Sequence, residues 1–308
     1  MHNKEILFKI KKIIFKILFF ISSQVKTFFS KERIRNNKIR RVIRIKERKK
    51  LIPKINSKKS NIIISLTTYG MRFKEVHYTL FSIFNQSILP DKVILWLDED
   101  EFNEKSILNN KILKKYLQKG LEIKFCKNYA SYKKFVPTLQ LYPEATIIIC
   151  DDDGYYDKNW LALLLEAQKN YPNDILCHSG NKIQIENNNL LPYEKWTDVR
   201  NDSAGYDIIP VGVGGTLFKY SFFYKDICND KLFMEIAPKT DDLWLWAQAV
   251  LNNTKIRVIE NSLFRPVDLG SDRDYPKLWI NNAVSGNDKN INNIINYYLK
   301  LKELLHIQ

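Results

Sequence analysis

Three consecutive carboxylates, Asp151-Asp152-Asp153, stand directly after the apolar run Thr146–Cys150. Adjacent acids repel one another and gain nothing as a fold element. At a strand tip they suit a divalent cation, which prefers oxygen ligands. Asp151 and Asp153 have the D-x-D spacing. The bland alternative is an acidic, solvated turn. The apolar strand before the triplet, with Tyr155-Tyr156 and Trp160-Leu161 after it, favours a built site. A second pair, Asp241-Asp242, follows Thr240 and opens a segment that holds Trp244 and Trp246. One Asp at a helix start is explained by capping and by the helix dipole. A pair beside two Trp is less easily explained that way, and the Trp faces offer stacking surfaces for a sugar ring.

Other segments are weaker on their own. Ser65-Leu66-Thr67-Thr68-Tyr69-Gly70 joins hydroxyls to a glycine turn, which suits a base or ribose but also an ordinary loop. Asp98, at the end of another apolar run, is either an acceptor for such a ligand or part of an acidic helix start. Val211-Gly212-Val213-Gly214-Gly215-Thr216 is glycine-dense, which fits close approach of backbone to a ligand or a tight bend in a strand. Lys133-Lys134 would offset phosphate charge, or sit solvated at a helix start. His178 ends an apolar run and reads as a satisfied structural histidine; His77 lies in a helix-like stretch.

These residues need elements to hold them. Short apolar runs predict strands at Asn61–Ser65, Lys92–Leu97, Leu121–Cys126, Thr146–Cys150 and Asp174–His178. Helix-like stretches lie between them at Glu75–Asn85, Glu104–Leu117 (with Asn103 as N-cap and Gly120 as stop), Tyr132–Leu141 and Lys158–Lys169. Strands alternating with helices imply crossovers and a mostly parallel sheet. Unbroken runs such as Ile147-Ile148-Ile149 fit strands covered on both faces. In such sheets ligands bind beyond the carboxyl ends of the strands, where the three acidic or hydroxyl-bearing tips lie. After Asn181 the pattern becomes irregular. Asn187-Asn188-Asn189 looks like a turn, Asp241–Asn252 a helix, Lys255–Glu260 a strand and Asn290–Leu305 a terminal helix. Neither a GxGxxG fingerprint nor a Walker P-loop is present. The four cysteines are scattered singly, which argues against a structural zinc site and for a reducing compartment.

The chain has 308 residues and a formal net charge of +15. Residues 1–60 hold 20 Lys+Arg and three acids, Glu5, Glu32 and Glu47. The remainder is close to neutral, so a body at 61–308 carries a basic arm and linker at 1–60. On a helical wheel, Lys4, Lys9, Lys11, Lys12 and Lys16 fall on one half, and Ile6, Leu7, Ile10, Ile13, Ile14 and Ile17 on the other, with Phe8, Phe15 and Phe19 breaking the stripe on the lysine side. The longest charge-free stretch there, Ile17–Val25, is nine residues, against about 20 for a spanning helix. The arm therefore reads as an interfacial helix followed by a cationic run from Arg33 to Lys50, each cation adding about 1 kcal/mol near an anionic leaflet. Residues 1–50 are expected to meet an anionic membrane surface. A solvated tail is the bland alternative. Nucleic acid is not expected as a partner, since the apolar stripe would go unexplained.

Taken in order, IIISLTTYG, SIFNQSILPDKVILWLDE, SYKKFVP, IIICDDDGYYDKNWL, VGVGGTLF and TDDLWLW resemble the GT-A type nucleotide-sugar glycosyltransferases, within them the bacterial family-2-like enzymes of surface-polysaccharide and lipooligosaccharide assembly. The resemblance covers roughly residues 61–260. It implies a Rossmann-like, mostly parallel α/β sheet flanked by helices. It implies a metal-dependent transfer, hexosyltransferase in type, from a nucleotide-sugar donor, a UDP-sugar by preference, to a hydroxyl of a lipid-linked or cell-surface glycan. Thr67, Tyr69, Asp98, Lys134, Asp151 and Asp152 would line the donor nucleotide pocket. Asp153 and Asp151 would hold Mn²⁺ or Mg²⁺ on the diphosphate. Gly214, Gly215 and Trp244 would shape the sugar and acceptor site. Asp241 and Asp242 match the family's acidic pair, with Asp242 as the preferred general base of an inverting reaction. The pair departs from the commoner Glu-Asp, and no Gln/Arg-x-x-Arg-Trp motif follows, which points to addition of a single sugar. The implied location is cytoplasmic, peripheral on the inner face of a bacterial inner membrane. Two rivals are a sugar nucleotidyltransferase and a non-catalytic, membrane-associated carbohydrate-binding protein.

Overall fold

The computed structural model describes residues 31–55, 61–200, 202–270 and 286–307. The amphipathic stretch 6–21 and the linker residues 56–60 lie outside them.

The chain enters as helix α1, residues 31–48. The strands are β1 (Ile62–Thr67), β2 (Lys92–Asp98), β3 (Leu121–Cys126), β4 (Thr146–Ile149), β5 (Gly154–Tyr155), β6 (Ile175–Cys177), β7 (Gly180–Lys182), β8 (Ile185–Glu186), β9 (Asn189–Leu190), β10 (Thr197–Val199), β11 (Ser203–Gly205), β12 (Ile208–Pro210), β13 (Thr216–Phe218), β14 (Ile256–Val258) and β15 (Val267–Asp268). The helices after α1 are α2 (Val76–Phe84), α3 (Glu104–Asn109), α4 (Leu113–Leu117), α5 (Val136–Leu141), α6 (Trp160–Asn170), α7 (Asp230–Ile236), α8 (Asp241–Leu251), α9 (Asn287–Tyr297) and α10 (Lys300–Leu305).

Eight strands form the main sheet in the order β11-β14-β6-β13-β4-β1-β2-β3. The pairs β1–β2, β1–β4, β2–β3 and β6–β14 are parallel, while β13 runs antiparallel to β4 and β6, and β11 to β14. The apolar runs explain this. Successive side chains of a strand point to opposite faces. Ile63, Ile94, Ile147 and Ile149 therefore pack into one core layer with α8, and Ile64, Val93, Leu95 and Ile148 into the other with α2 and α6. A strand must be apolar throughout to be covered on both sides.

The six expected strands form within two residues of their expected bounds. Three helices depart from expectation. Glu104–Leu117 is two helices, because the Asn110 side chain accepts from the backbone N–H groups of Ile112 and Leu113 at 3.1 and 3.0 Å and so starts a second helix. The Asn103 cap forms, accepting from Ser106 N at 3.0 Å. Tyr132–Leu141 becomes a 3₁₀ turn, Ala130–Lys134, followed by α5; Pro137 sits in the first turn of α5, where its missing N–H costs nothing. The terminal helix breaks at Tyr298, whose hydroxyl turns away to donate to Asp226 at 2.7 Å. The irregular region after Asn181 holds a small sheet, β10-β7-β12, and the hairpin β8–β9. Asn187 and Asn188 turn that hairpin with φ of 49° and 59°, a region Asn tolerates better than most residues. Among the described residues, no helix is long and apolar enough to cross a membrane.

Candidate active site

The parallel strands deliver their tips to one edge. β1 ends at Thr67, β2 at Asp98, β4 leads into Asp151 and β6 into His178 and Ser179. Antiparallel β13 begins at the same edge, which brings the preceding turn, Gly212–Gly214, alongside. That turn meets the start of α8: the Gly212 N–H donates to Asp242 at 3.2 Å. The two acidic groups, 90 residues apart in sequence, thus share one edge of the sheet.

Lys134 joins them. Its buried Nζ lies 3.0 Å from Asp151 Oδ1 and 2.9 Å from Asp241 Oδ2. Burial lowers the affinity of this amine for its proton, but Asp151, Asp241 and Asp242 outweigh it and hold the lysine charged, well above its ordinary value. Lys133 lies 3.7 Å from Asp98. Arg72, in the turn after β1, contacts Asp152 at 2.7 Å and Asp153 at 3.0 Å. Six carboxylates (Asp98, Asp151, Asp152, Asp153, Asp241 and Asp242) therefore face three cations. The excess appears as protonation. Burial, then the neighbouring Asp152, pushes Asp153 up to about 7 against the pull of Arg72. Burial, then Asp241, pushes Asp242 up to about 7 against the pull of Lys134. Both side chains lie deep among surrounding atoms yet keep part of their surface open.

This donor set can be tested against Mn²⁺ or Mg²⁺. Among the described residues, no group of three or more His, Cys, Asp or Glu is arranged to cage a metal ion. The available oxygens and the surplus of negative charge do suit a hard divalent cation. A cation held by Asp151 and Asp153 would need further oxygens from a bound ligand, as a diphosphate supplies.

The other expected site residues fall into two groups. Tyr69 stands at the rim, its ring 5.3 Å from the Arg72 guanidinium; burial, and the three Asp opposed by Arg72, leave its phenol above its ordinary value. Asp98 is buried beside Lys133 and also caps the turn at Asp100, whose N–H it accepts at 3.0 Å. Thr67 donates its hydroxyl to the Trp96 carbonyl at 2.9 Å.

Four expectations need correction. Asp152 does not face a nucleotide pocket: Thr68 donates to one of its oxygens at 2.5 Å and Arg72 to the other, so it braces the loop. Trp244 cannot stack on a sugar. It is fully buried, donates to the Ile227 carbonyl at 3.0 Å and packs on Phe233 and Tyr298; Trp246 is likewise buried, bonded to Tyr206. Gly214 and Gly215 serve packing rather than ligand approach. A Cβ on Gly214 would meet Ser179 at 2.7 Å, and one on Gly215 (φ +97°) would run into the Trp160 indole, which donates to the Gly214 carbonyl at 2.7 Å. The glycine that opens the site is Gly212, where a Cβ would lie 2.8 Å from Lys134 Nζ and 2.9 Å from Asp242.

The expected structural role of His178 is what the structure shows. Nδ1 accepts from Leu263 N at 3.1 Å and Nε2 donates to the Trp160 carbonyl at 3.0 Å, and burial lowers the ring to about 4. Sequence reasoning missed Arg72 and Tyr156. Arg72 lay inside TTYGMR, one turn past the recognised hydroxyls. Tyr156, whose hydroxyl accepts from Asp151 N and donates to the Val213 carbonyl, ties the acidic loop to the glycine turn. Nothing in its local sequence signals that contact.

No family model matches the chain, and no curated protein matches it by sequence. Solved structures do match in fold. A mannosyltransferase, PcManGT from Pyrobaculum calidifontis, solved with GDP-Man and Mn²⁺, aligns with a TM-score of 0.50 at 10% identity over 90% of this chain and 79% of that one. S. aureus TarS 1-349 aligns at TM-score 0.44 and 17% identity, over 67% of this chain and 59% of that fragment's length. The inositol-1-phosphate CTP transferase of T. maritima aligns at TM-score 0.41 and 12% identity, over 74% and 98%. The mixed, mostly parallel sheet with helices on both faces is a Rossmann-like α/β architecture of the GT-A type.

Proposed function

We propose that the protein transfers a sugar, of hexosyl type, from a nucleotide-sugar donor (a UDP-sugar by preference) to a hydroxyl of a lipid-linked or cell-surface glycan, with inversion. The observation that carries this reading is the pairing of two carboxylate centres across Lys134 at one sheet edge. Transfer needs one centre for the leaving diphosphate and another for the acceptor proton. Asp151 and Asp153 would hold a divalent cation, which supplies charge neutralisation for the leaving group. Lys134, with its charge secured, and Arg72 add positive potential on that side. Tyr69 and Thr67 would rim the donor pocket, with Asp98 buried beside Lys133.

Asp242 serves as general base. It is the more open of the Asp241-Asp242 pair, and Asp241 is committed to Lys134. The Gly212 N–H fixes one Asp242 oxygen and leaves the carboxylate oriented. A base near pH 7 both takes and releases a proton with little cost. The basic N-terminal segment would bring the enzyme to an anionic membrane, peripherally at the cytoplasmic face, where a lipid-linked acceptor resides.

Arg72 favours one second reading. A basic residue in a glycine-bearing turn after the first strand also suits a sugar nucleotidyltransferase. Product analysis separates the two. Release of nucleoside diphosphate supports transfer of the sugar; release of pyrophosphate supports the nucleotidyltransferase.

A further inference from the structure

Helix α1 has two unlike faces. Asn36, Arg40, Ile43 and Glu47, spaced i, i+4, i+7 and i+11, are buried against the body. Asn36 Nδ2 donates to the Asp268 carbonyl at 3.0 Å, and Arg40 donates to the Leu269 carbonyl. The Leu269 N–H in turn donates to the Asp153 carbonyl at 2.7 Å. At the far end of the helix, Glu47 accepts from the Tyr116 hydroxyl at 2.7 Å and sits 2.8 Å from His77 Nδ1. Just beyond, Ile55 N donates to the Lys119 carbonyl at 2.8 Å, beside the start of β3. So α1 runs from the loop behind Asp153 across to the first turn of α2 and to α4. Its fixed contacts key it to the body.

The opposite face is basic with apolar residues set into it. Ile34, Val42 and Ile45 are 68%, 45% and 43% exposed. Lys38 and Arg41 lie between them, and eight of the nine basic residues of α1 are exposed. Its two acids are spent elsewhere: Glu32 faces Arg35 at 3.4 Å, and Glu47 is buried. This combination of exposed aliphatic side chains and unscreened cations is complementary to an anionic bilayer. It also follows, in sequence, the amphipathic stretch 6–21.

We propose that the outward face of α1 docks on an anionic bilayer. Because α1 is keyed to the loop behind Asp153, docking holds the Asp153 wall of the site beside the headgroups and turns the α9 layer toward solvent. The consequence for an acceptor, that it arrives from the lipid side, rests on the transfer reading above; the docking itself does not.

The test needs neither donor nor turnover, so it stands or falls apart from the catalytic assignment. Full-length protein is floated with phosphatidylglycerol-containing vesicles and with neutral vesicles. A fluorophore at Ile34 or at Tyr297, which is 55% exposed on α9, is challenged with brominated lipid. Binding is expected with anionic vesicles only, with quenching at position 34 and none at 297. The double variant Lys38→Glu/Arg41→Glu, which alters exposed side chains only, is expected to melt as wild type and bind roughly tenfold or more weakly. Binding retained by the double variant, equal binding to neutral vesicles, quenching at 297, or self-association through α1 in place of lipid binding would each overturn the proposal.

Discussion

At the scale of single residues, Asp242 carries the sharpest expectation. Its carboxyl is pushed up to about 7 by burial and by Asp241, and it must be ionised to accept a proton. The rate should therefore rise with pH through about 7 and level off above it, which a profile of kcat/KM between pH 5.5 and 8.5 reads directly. Asp242→Asn should lower kcat by roughly 10²–10⁴-fold while the fold survives. A flat profile in wild type would remove Asp242 from that role. Gly212 and Gly215 should separate function from folding. At Gly212 the new methyl of Ala meets the flexible end of Lys134 and the Asp242 carboxylate, so activity should fall more than stability. At Gly215 the same methyl meets a rigid indole at a positive φ, and about 1–3 kcal/mol of strain should appear as a lower melting temperature.

Much of this scale was legible in the sequence, but unevenly. The acidic clusters stood out because like charges side by side at strand tips seldom help a fold, though Asp152 proves to brace its loop. The glycines were misassigned because a glycine needed for packing and one needed beside a ligand look alike until the neighbour is known. The neighbour of Gly215 is Trp160, 55 positions away. Arg72 was missed because its partners, Asp152 and Asp153, come from another loop, and Tyr156 because its second partner, Val213, comes from the glycine turn.

At the scale of elements, α8 shows how one helix does two jobs. Its first turn presents Asp241 and Asp242 at the site, and the rest is core. Trp244 belongs to the core part. Trp244→Ala should cost about 3–5 kcal/mol of stability, measurable as a loss in denaturant midpoint. Trp244→Phe should keep acceptor affinity unchanged, and a selective loss of acceptor binding in that variant would restore the stacking role. The strands were legible because burial on both faces demands unbroken apolar runs. The small sheet β10-β7-β12 was not. Its strands are three residues long and take their register from one another rather than from any period of their own.

At the scale of the whole molecule, the site is a concentration of like charge that the fold tolerates. Asp242, and Asp153 in the same direction, hold protons in the folded state at pH values where the unfolded chain has released them. The sign follows from linkage: the folded state binds more protons between the ordinary value of 3.8 and about 7, so these groups make stability decline as pH rises across that window. The melting temperature of Asp242→Asn should lose this component, so that its advantage over wild type grows from pH 5 to pH 7.5. An advantage independent of pH would contradict the assignment. The basic segment also reads differently at this scale. The sequence set residues 1–60 apart as an arm, whereas residues 31–55 pack on the body and reach the loop behind Asp153. Arg40 was counted among cations facing headgroups, yet it is buried.

The central claim is that Asp151 and Asp153 bind a nucleoside diphosphate through a divalent cation, with Asp242 outside that interaction. The most direct measurement is the melting temperature of full-length protein with UDP, GDP, CDP and ADP, each with and without Mn²⁺, in wild type, Asp153→Asn and Asp242→Asn. A ligand at 100 times its Kd stabilises by about 2.7 kcal/mol, or roughly 5–10 °C for a chain of this size. The expected result is a Mn²⁺-dependent rise with one nucleotide, lost in Asp153→Asn and kept in Asp242→Asn. No rise with any nucleotide, or a rise that survives Asp153→Asn undiminished, would contradict the account.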